Sequence, residues 1–220
     1  MAKNSYAVFG MGSFGSKLAL ALAKEGHAVL VCDRNAAKVE EMRDKVTDAV
    51  IGDVSQEETI KELNVSKFDA VIVGMSSYFE DQVLTLTLLK QEGAKKVIVK
   101  SGSLLQERIL YRLGADEVIQ VDQDVAARLA RRLSLVNIAD IFEFKGSAIA
   151  DVTIPENLAG IPLKELNLRN KYNITILVIR DASGVNDRAI GPDTKLEKDD
   201  QVTVFGDQKS IIELFKGKNK

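Results

Sequence analysis

The strongest constraint on the fold of this chain is a strict alternation of short apolar runs and helical periods. The apolar runs predict strands at residues 6–9, 29–32, 49–51, 70–73, 96–99 and 117–121. Helical periods separate them at residues 16–24, 37–46, 56–63, 79–91 and 104–113. Because short connections between alternating strands and helices require right-handed crossovers, the pattern predicts a parallel, doubly wound sheet.

The pattern changes after Gly146, and all three prolines lie beyond this residue. Strands are predicted there at 148–154, 174–179 and 201–205, and helices at 162–166 and 210–215. The predicted fold class is therefore α/β, a Rossmann-like doubly wound parallel sheet followed by a small α+β C-terminal domain. The expected domains are a nucleotide-binding domain at residues 1–122, a crossover helix and linker at 123–145, and the C-terminal domain at 146–220.

Composition argues against several classes of function. The formal net charge is -2, without long runs of like charge, which argues against a nucleic-acid partner. No apolar run approaches the roughly 18 residues that a membrane helix needs, so a link to a membrane is expected only through another protein. The single cysteine, Cys32, rules out a disulfide framework and fits a reducing cytoplasm.

A glycine-rich motif directly follows the first predicted strand and opens the first predicted helix. It reads Gly10-Met11-Gly12-Ser13-Phe14-Gly15, a G-x-G-x-x-G. In this context the first glycine allows a tight turn, the second lets the backbone approach a pyrophosphate, and the third lets helix and strand pack closely. The alternative is a purely structural turn between strand and helix.

Further candidate residues follow the ends of other strands, where ligands bind in such sheets. Asp33 ends the second strand and is positioned to accept hydrogen bonds from ribose hydroxyls. The other candidates, for which solvated loop residues are the alternative, are Arg34, Asp53, Val54, Gly74, Met75 and Lys100. Asp33 predicts that NAD(H) binds better than NADP(H), although Arg34 argues in the other direction.

The sequence offers little for catalysis. His27, the only histidine, lies at the opposite end of the predicted sheet, and Cys32 is expected to be buried within a strand. Without a general base, a hydride-transfer enzyme lacks its parts. The first hypothesis from the residues is a protein that binds a nucleotide without catalysing a reaction. A small NAD(P)-dependent reductase or redox-sensing protein, distinguished by turnover, and a nucleotide-stabilised scaffold remain the alternatives.

The chain resembles a known family along essentially its whole length, the cytosolic RCK/KTN subunits of potassium uptake systems, of the TrkA and KtrA type. The matching stretches are residues 8–15, 49–53, 69–74, 113–116, 158–163, 166–169 and 199–206. The resemblance implies a cytoplasmic regulatory subunit that forms dimers and rings beneath an integral-membrane potassium-translocating subunit. Such subunits bind NAD(H), ATP or ADP and gate potassium flux.

The resemblance also implies particular site residues. Ser13 stands where many members carry an arginine associated with the distal phosphate of ATP, which favours NAD(H), ADP or AMP. Asp122 matches a position that holds a divalent cation in some members, with a helix-start acid as the alternative. A second ligand, cyclic-di-AMP, is implied between two C-terminal domains, with an ordinary domain interface as the alternative, at Leu168, Arg169, Asn173, Ile174 and Pro192.

Self-association is expected through the segment between the two domains. Val125, Leu129, Leu133 and Val136 form an apolar helical stripe, and the apolar residues 138–144 have no partner left in the first sheet. So much apolar surface favours exchange of this segment between two copies. The alternative is that the segment folds back on its own domain.

Overall fold

The computed structural model describes residues 3–75, 78–135 and 137–215. Val136, the last member of the predicted apolar stripe, lies outside the described residues. The chain divides into two compact units, Met1–Asp124 and Val125–Lys220.

The first unit is a parallel sheet whose strands alternate with helices in the chain. Its elements are β1 (Ser5–Phe9), α1 (Ser13–Lys24), β2 (Ala28–Asp33), α2 (Ala36–Glu40), β3 (Asp48–Ile51), α3 (Glu57–Leu63), a 3-10 helix (Val65–Lys67), β4 (Ala70–Val73), α4 (Phe79–Gln91), β5 (Val97–Lys100), α5 (Leu104–Arg112) and β6 (Glu117–Ile119). The strand order is β3-β2-β1-β4-β5-β6, with every pair parallel. The predicted doubly wound sheet is confirmed, and its order reverses between β1 and β4.

Both faces of this sheet are buried, as expected for a parallel sheet. Successive side chains of β1 point to opposite faces, so Phe9 joins one hydrophobic cluster and Val8 the other. The β4 strand is buried at all four positions. The sheet is therefore a rigid base from which the loops at its carboxyl edge project.

The second helix is shorter than the period at residues 37–46 predicts. α2 ends at Glu40, and residues 41–45 form turns. There the amide of Met42 donates to Val39 and that of Lys45 donates to Met42, which are i to i−3 bonds of tighter geometry. Val39 and Met42 are both buried, so the apolar period is real although the α-helix does not continue through it.

The second unit is built on an antiparallel sheet. α6 (Val121–Ser134) leads into it, and its elements are β7 (Ile138–Phe144), β8 (Ser147–Thr153), a 3-10 helix (Glu156–Leu158), α7 (Leu163–Leu166), α8 (Leu168–Tyr172), β9 (Ile174–Arg180), β10 (Asp187–Arg188), β11 (Gln201–Asp207) and α9 (Gln208–Phe215). The strand order is β10-β9-β11-β8-β7. A separate hydrophobic core, with Phe215 and Ile211 of α9 fully buried, holds this unit together. The predicted α+β domain is confirmed.

The segment expected to be a crossover helix and linker at 123–145 contains a strand of the second sheet. β7 forms a hairpin with β8, and Lys145 and Gly146 make the turn with φ of 44° and 94°. Two consecutive positive φ values suit a two-residue hairpin turn that favours glycine in second place. Ile138 is buried in the second core, and Ile141 packs against it. The segment thus pairs with β8 of the second unit. The sequence had indicated only that it has no partner in the first sheet.

Candidate nucleotide-binding site

A cleft lies at the carboxyl edge of the parallel sheet, where the strand order reverses between β1 and β4. Ligands bind at this switch point in open α/β sheets. The loops after β1, β2, β3, β4 and β5 all contribute to it, and its lining comprises Gly10, Gly12, Ser13, Phe14, Cys32, Asp33, Arg34, Lys38, Gly52, Asp53, Val54, Gly74, Met75, Tyr78, Asp81 and Lys100.

The glycines of the turn after β1 have three different environments. Gly10 has a φ of 89°, and a Cβ there would lie 2.8 Å from the backbone nitrogen of Met75. A Cβ on Gly15 would lie 2.0 Å from the carbonyl oxygen of Gly10. A Cβ on Gly12 would meet nothing within 4 Å. Gly10 and Gly15 are therefore required by packing, whereas Gly12 leaves open space at the start of α1.

That open space fits a phosphate group. Gly12 is the N-cap of α1, and the first turn of the helix, with Ser13 and Phe14, borders the cleft. The first amides of a helix have no partner within the helix and form a natural site for an anion. The absence of a side chain at Gly12 allows a diphosphate to approach these amides directly.

Asp33, at the end of β2, is held by two backbone amides. The amide of Met11 donates to Oδ2 at 2.6 Å, and the amide of Asn35 donates to Oδ1 at 2.8 Å. An ionised carboxylate has about four lone-pair positions, so each oxygen retains capacity for a ligand hydroxyl. Asp33 thus both orders the glycine-rich turn and faces the position expected for the ribose.

Arg34 reaches across the cleft to the start of α4. Its guanidinium lies 3.6 Å from Asp81 Oδ2 and 5.5 Å from the centre of the Tyr78 ring. The ion pair is long and solvent-exposed, and such pairs contribute little energy. These side chains form one wall of the cleft that a bound base or ribose would contact.

Asp53, two residues after the end of β3, accepts hydrogen bonds from its neighbour Ser55. Both the hydroxyl and the amide of Ser55 donate to Oδ1, at 2.7 Å and 3.0 Å. These bonds, chiefly that from the hydroxyl, lower the pKa of the Asp53 carboxyl, and Arg34 adds a smaller effect. The Oδ2 atom is left to accept a hydrogen bond from a ligand, such as an amino group.

The far end of the cleft is cationic. Lys100, at the end of β5, is only 13% exposed, and its ammonium group lies 3.2 Å from Oδ2 of Asp122. The buried Gln82 of α4 donates its amide hydrogens to the carbonyls of Met75 and Lys100, which ties the ends of β4 and β5 together. This arrangement holds Lys100 in place as a cation beside the phosphate position.

Most of the predicted site residues line this cleft. The exceptions are Met11, whose side chain is buried in the core, Gly15, which packs against Gly10, and Asp122, which pairs with Lys100. Five further lining residues were not predicted from the sequence, namely Cys32, Lys38, Gly52, Tyr78 and Asp81. Lys38 could have been predicted, because it lies about one helical turn beyond Arg34. Tyr78 and Asp81 could not, because they reach the cleft only through the position of α4, which starts beside it.

The remaining predicted ligand positions are not part of the cleft lining. Asp122 is 86% exposed in its side chain, and within the described ranges no group of three histidine, cysteine or acidic residues is arranged to hold a metal. In the second unit, Leu168 and Ile174 are buried in the core. Only the other three positions of the proposed second site present exposed side chains, namely Arg169, Asn173 and Pro192.

Cys32 and His27 both have surroundings that suit a structural role and not a catalytic one. Cys32 is buried, and burial raises the pKa of its thiol to about 12, with smaller contributions from Asp33 and Asp53. A thiol with this pKa is not a nucleophile at neutral pH. His27 packs edge-on against the ring of Tyr6, at the opposite end of the strands from the cleft.

The fold and the cleft define a class of protein, a Rossmann-type nucleotide-binding domain joined to a small antiparallel α+β domain. Comparison with known families identifies the class further. Residues 6–121 match the TrkA-N domain and residues 149–216 match the TrkA-C domain. The chain belongs to this TrkA family, which confirms the resemblance to potassium-uptake regulatory subunits.

Curated relatives agree with this assignment. The chain is 33% identical to Ktr system potassium uptake protein C of Bacillus subtilis (strain 168) over 179 residues, 81% of each chain. It is 28% identical to Ktr system potassium uptake protein A of the same organism over 207 residues, covering 94% of this chain and 93% of the relative.

Two solved structures share the fold. The GsuK channel bound to NAD superposes with a TM-score of 0.66 at 16% identity, covering 100% of this chain and 40% of the channel chain. GsuK bound to ADP superposes with a TM-score of 0.53 at 16% identity, covering 60% of this chain and 35% of the other. Among the described residues of this chain, no helix combines the length and apolar character needed to cross a membrane.

Proposed function

We propose that this chain is the cytosolic nucleotide-binding regulatory subunit of a potassium uptake system. The proposal rests on the cleft at the β1/β4 switch point, where Gly12 leaves space for a phosphate beside the start of α1. The chain also has both TrkA domains. Nucleotide binding in the cleft changes the conformation of an assembly of such subunits and thereby the potassium flux. The names of the Ktr relatives support potassium as the transported ion.

The ligand is an adenine nucleotide, NAD(H), ADP, AMP or ATP. Ser13 brings no positive charge to the glycine-rich turn, which favours NAD(H), ADP and AMP over ATP. Lys100 supplies the cation at the far end of the cleft. A divalent cation beside Asp122 would need phosphate oxygens of the nucleotide as further ligands, because Asp122 is a single, exposed carboxylate.

The chain acts as a regulator and not as an enzyme. Among the described side chains that border the cleft there is no histidine, and burial raises the pKa of the Cys32 thiol, so this thiol stays protonated. Lysine and ionised carboxylates at the cleft are instead suited to hold a charged ligand. A bound nucleotide is therefore expected to be released unchanged.

The partners are an integral-membrane potassium-translocating subunit and further copies of this chain. Val125, Leu129 and Leu133 present an exposed apolar stripe on α6, which supports contact with a second copy and a dimer that builds a ring. Through the membrane partner the assembly sits at the inner face of the cell membrane. In a cyclic-di-AMP site between two C-terminal domains, Arg169 would contact the phosphates. Calorimetry with cyclic-di-AMP on the full chain tests this site.

The test combines binding with transport. Isothermal titration of NAD, NADH, ADP, ATP and AMP should give saturable binding to at least one, and chromatography after long incubation should recover that ligand intact. The same ligand should then change potassium flux through vesicles that contain the co-purified membrane subunit and this chain. Gly12→Ala should lose both effects. Sustained hydrolysis or hydride exchange, or flux indifferent to the ligand, would contradict the proposal.

A further inference from the structure

Two basic side chains line the cleft beside the position expected for the adenosine ribose. Arg34 directly follows Asp33, and Lys38 lies four residues further along, on α2. Lys38 is exposed, and its ammonium group has no ion-pair partner within the part of the chain that is described. The ordinary expectation for a lone lysine is a solvated surface group, but this one borders the cleft.

The other charges around the cleft are already engaged. Lys100 pairs with Asp122 at 3.2 Å, and Oδ1 of Asp53 is held by Ser55. Arg34 is also paired, with Asp81 at 3.6 Å, but this pair is long and the Arg34 side chain is 59% exposed, so a bound anion could compete for the guanidinium. The lining of the cleft therefore includes one exposed lysine and one arginine held only in a long, exposed ion pair.

The acid that would oppose an anion here is partly compensated. Both carboxylate oxygens of Asp33 accept hydrogen bonds from backbone amides, those of Met11 and Asn35. Such charge-assisted bonds reduce the repulsion that the carboxylate exerts on a neighbouring negative group. Asp33 can still accept a bond from one ribose hydroxyl, and Arg34 and Lys38 line the same cleft.

We propose that the cleft accepts a phosphate on the 2′ position of the adenosine ribose, held by Arg34 and Lys38, so that its ligands include 2′-phosphorylated nucleotides such as NADPH. An arginine beside the ribose is the general device for a 2′-phosphate, and a lysine adds a compact charge that binds phosphate well. The proposal rests on the proposed nucleotide-binding function. It reverses the expectation of NAD(H) preference that follows from Asp33 alone.

Calorimetry with NADH and NADPH on the full chain tests this inference. The wild-type protein should bind NADPH at least as tightly as NADH. Lys38→Gln and Arg34→Gln should each raise the ratio of the NADPH Kd to the NADH Kd about tenfold, the loss expected for one hydrogen bond to a charged group. Lys17→Gln, on the exposed part of α1 outside the cleft, is the matched control and should leave the ratio unchanged.

The outcomes separate the two proposals. If NADH or ADP binds but NADPH binds at least ten times more weakly than NADH, the inference is wrong and the nucleotide-binding function stands. A Kd ratio that Lys38→Gln and Arg34→Gln leave at the wild-type value also overturns it. If none of NADH, NADPH and ADP binds, the proposed function itself fails, and the inference fails with it.

Discussion

At the scale of single residues, substitutions of Gly12 and Gly15 should have different effects although both belong to the same motif. A Cβ at Gly15 would lie 2.0 Å from the backbone oxygen of Gly10, which has little freedom to move. Gly15→Ala should therefore destabilise the first unit by about 1–3 kcal/mol, the usual cost of overpacking. Urea unfolding followed by circular dichroism measures this loss.

Gly12→Ala should instead affect only the ligand. Its backbone has a φ of -78°, which alanine adopts readily, and among the described residues the added methyl group would meet no atom within 4 Å beyond its own chain neighbours. We expect the free energy of unfolding to stay within about 0.5 kcal/mol of wild type. The affinity for ADP should fall at least roughly tenfold, since the methyl group occupies the space that the diphosphate needs. Equal ADP affinity in the variant would show that the phosphates lie elsewhere.

The Asp53–Ser55 pair makes a prediction about pH. The hydrogen bonds from Ser55 lower the pKa of Asp53 in the folded state. A lowered pKa stabilises the fold above the unfolded value of about 3.9, and this contribution disappears as the pH falls through the folded value. Ser55→Ala should raise the Asp53 pKa towards its ordinary value, as followed by NMR titration. Stability of the variant should then fall less steeply under acidic conditions, and an unchanged pKa would contradict this account.

At the scale of elements, the apolar residues of α6 and those of β7 have different surroundings. Ile138 and Ile141 of β7 pack into or against the second core, whereas Phe142 is 55% exposed. On α6, Leu133 is 72% exposed. The strand thus folds back onto its own unit, and the helix retains the surface that a second copy would cover.

Charged substitutions on these elements separate folding from association. Leu133→Asp should shift the mass from light scattering towards monomer with little change in the free energy of unfolding. Ala127→Asp, on the opposite side of the same exposed helix, is the matched control and should leave the mass unchanged. Ile141→Asp should mainly destabilise the second unit, because it places a charge against its core. A wild-type protein that is monomeric at micromolar concentration would contradict the proposed dimer.

At the scale of the whole molecule, the separate cores predict two unfolding transitions. The clusters around Phe9 and Val8 belong to the first unit, and that around Phe215 belongs to the second. A nucleotide that binds only the folded first unit at 100 times its Kd stabilises that unit by about 2.7 kcal/mol. Scanning calorimetry should therefore show one transition that rises with ADP or NADH and one that does not. A single transition that shifts as a whole would show that the units unfold together.

The sequence by itself determined the architecture of the first unit and most of its cleft. Alternating apolar runs and helical periods are local patterns, and the carboxyl ends of parallel strands necessarily meet at one edge. Knowing the strands was therefore enough to expect Gly12, Asp33, Asp53 and Lys100 near one another, and all four line one cleft in the structure.

Only the tertiary structure decided the features that depend on long-range packing. The partner of β7 could not be inferred from its apolar pattern, because strand pairing is set by the hairpin turn at Lys145 and Gly146. Tyr78 and Asp81 border the cleft through the placement of α4, and Leu168 is withdrawn into the second core. Periodicity specifies which face of an element is apolar, but the neighbour that covers this face depends on how the elements pack in three dimensions.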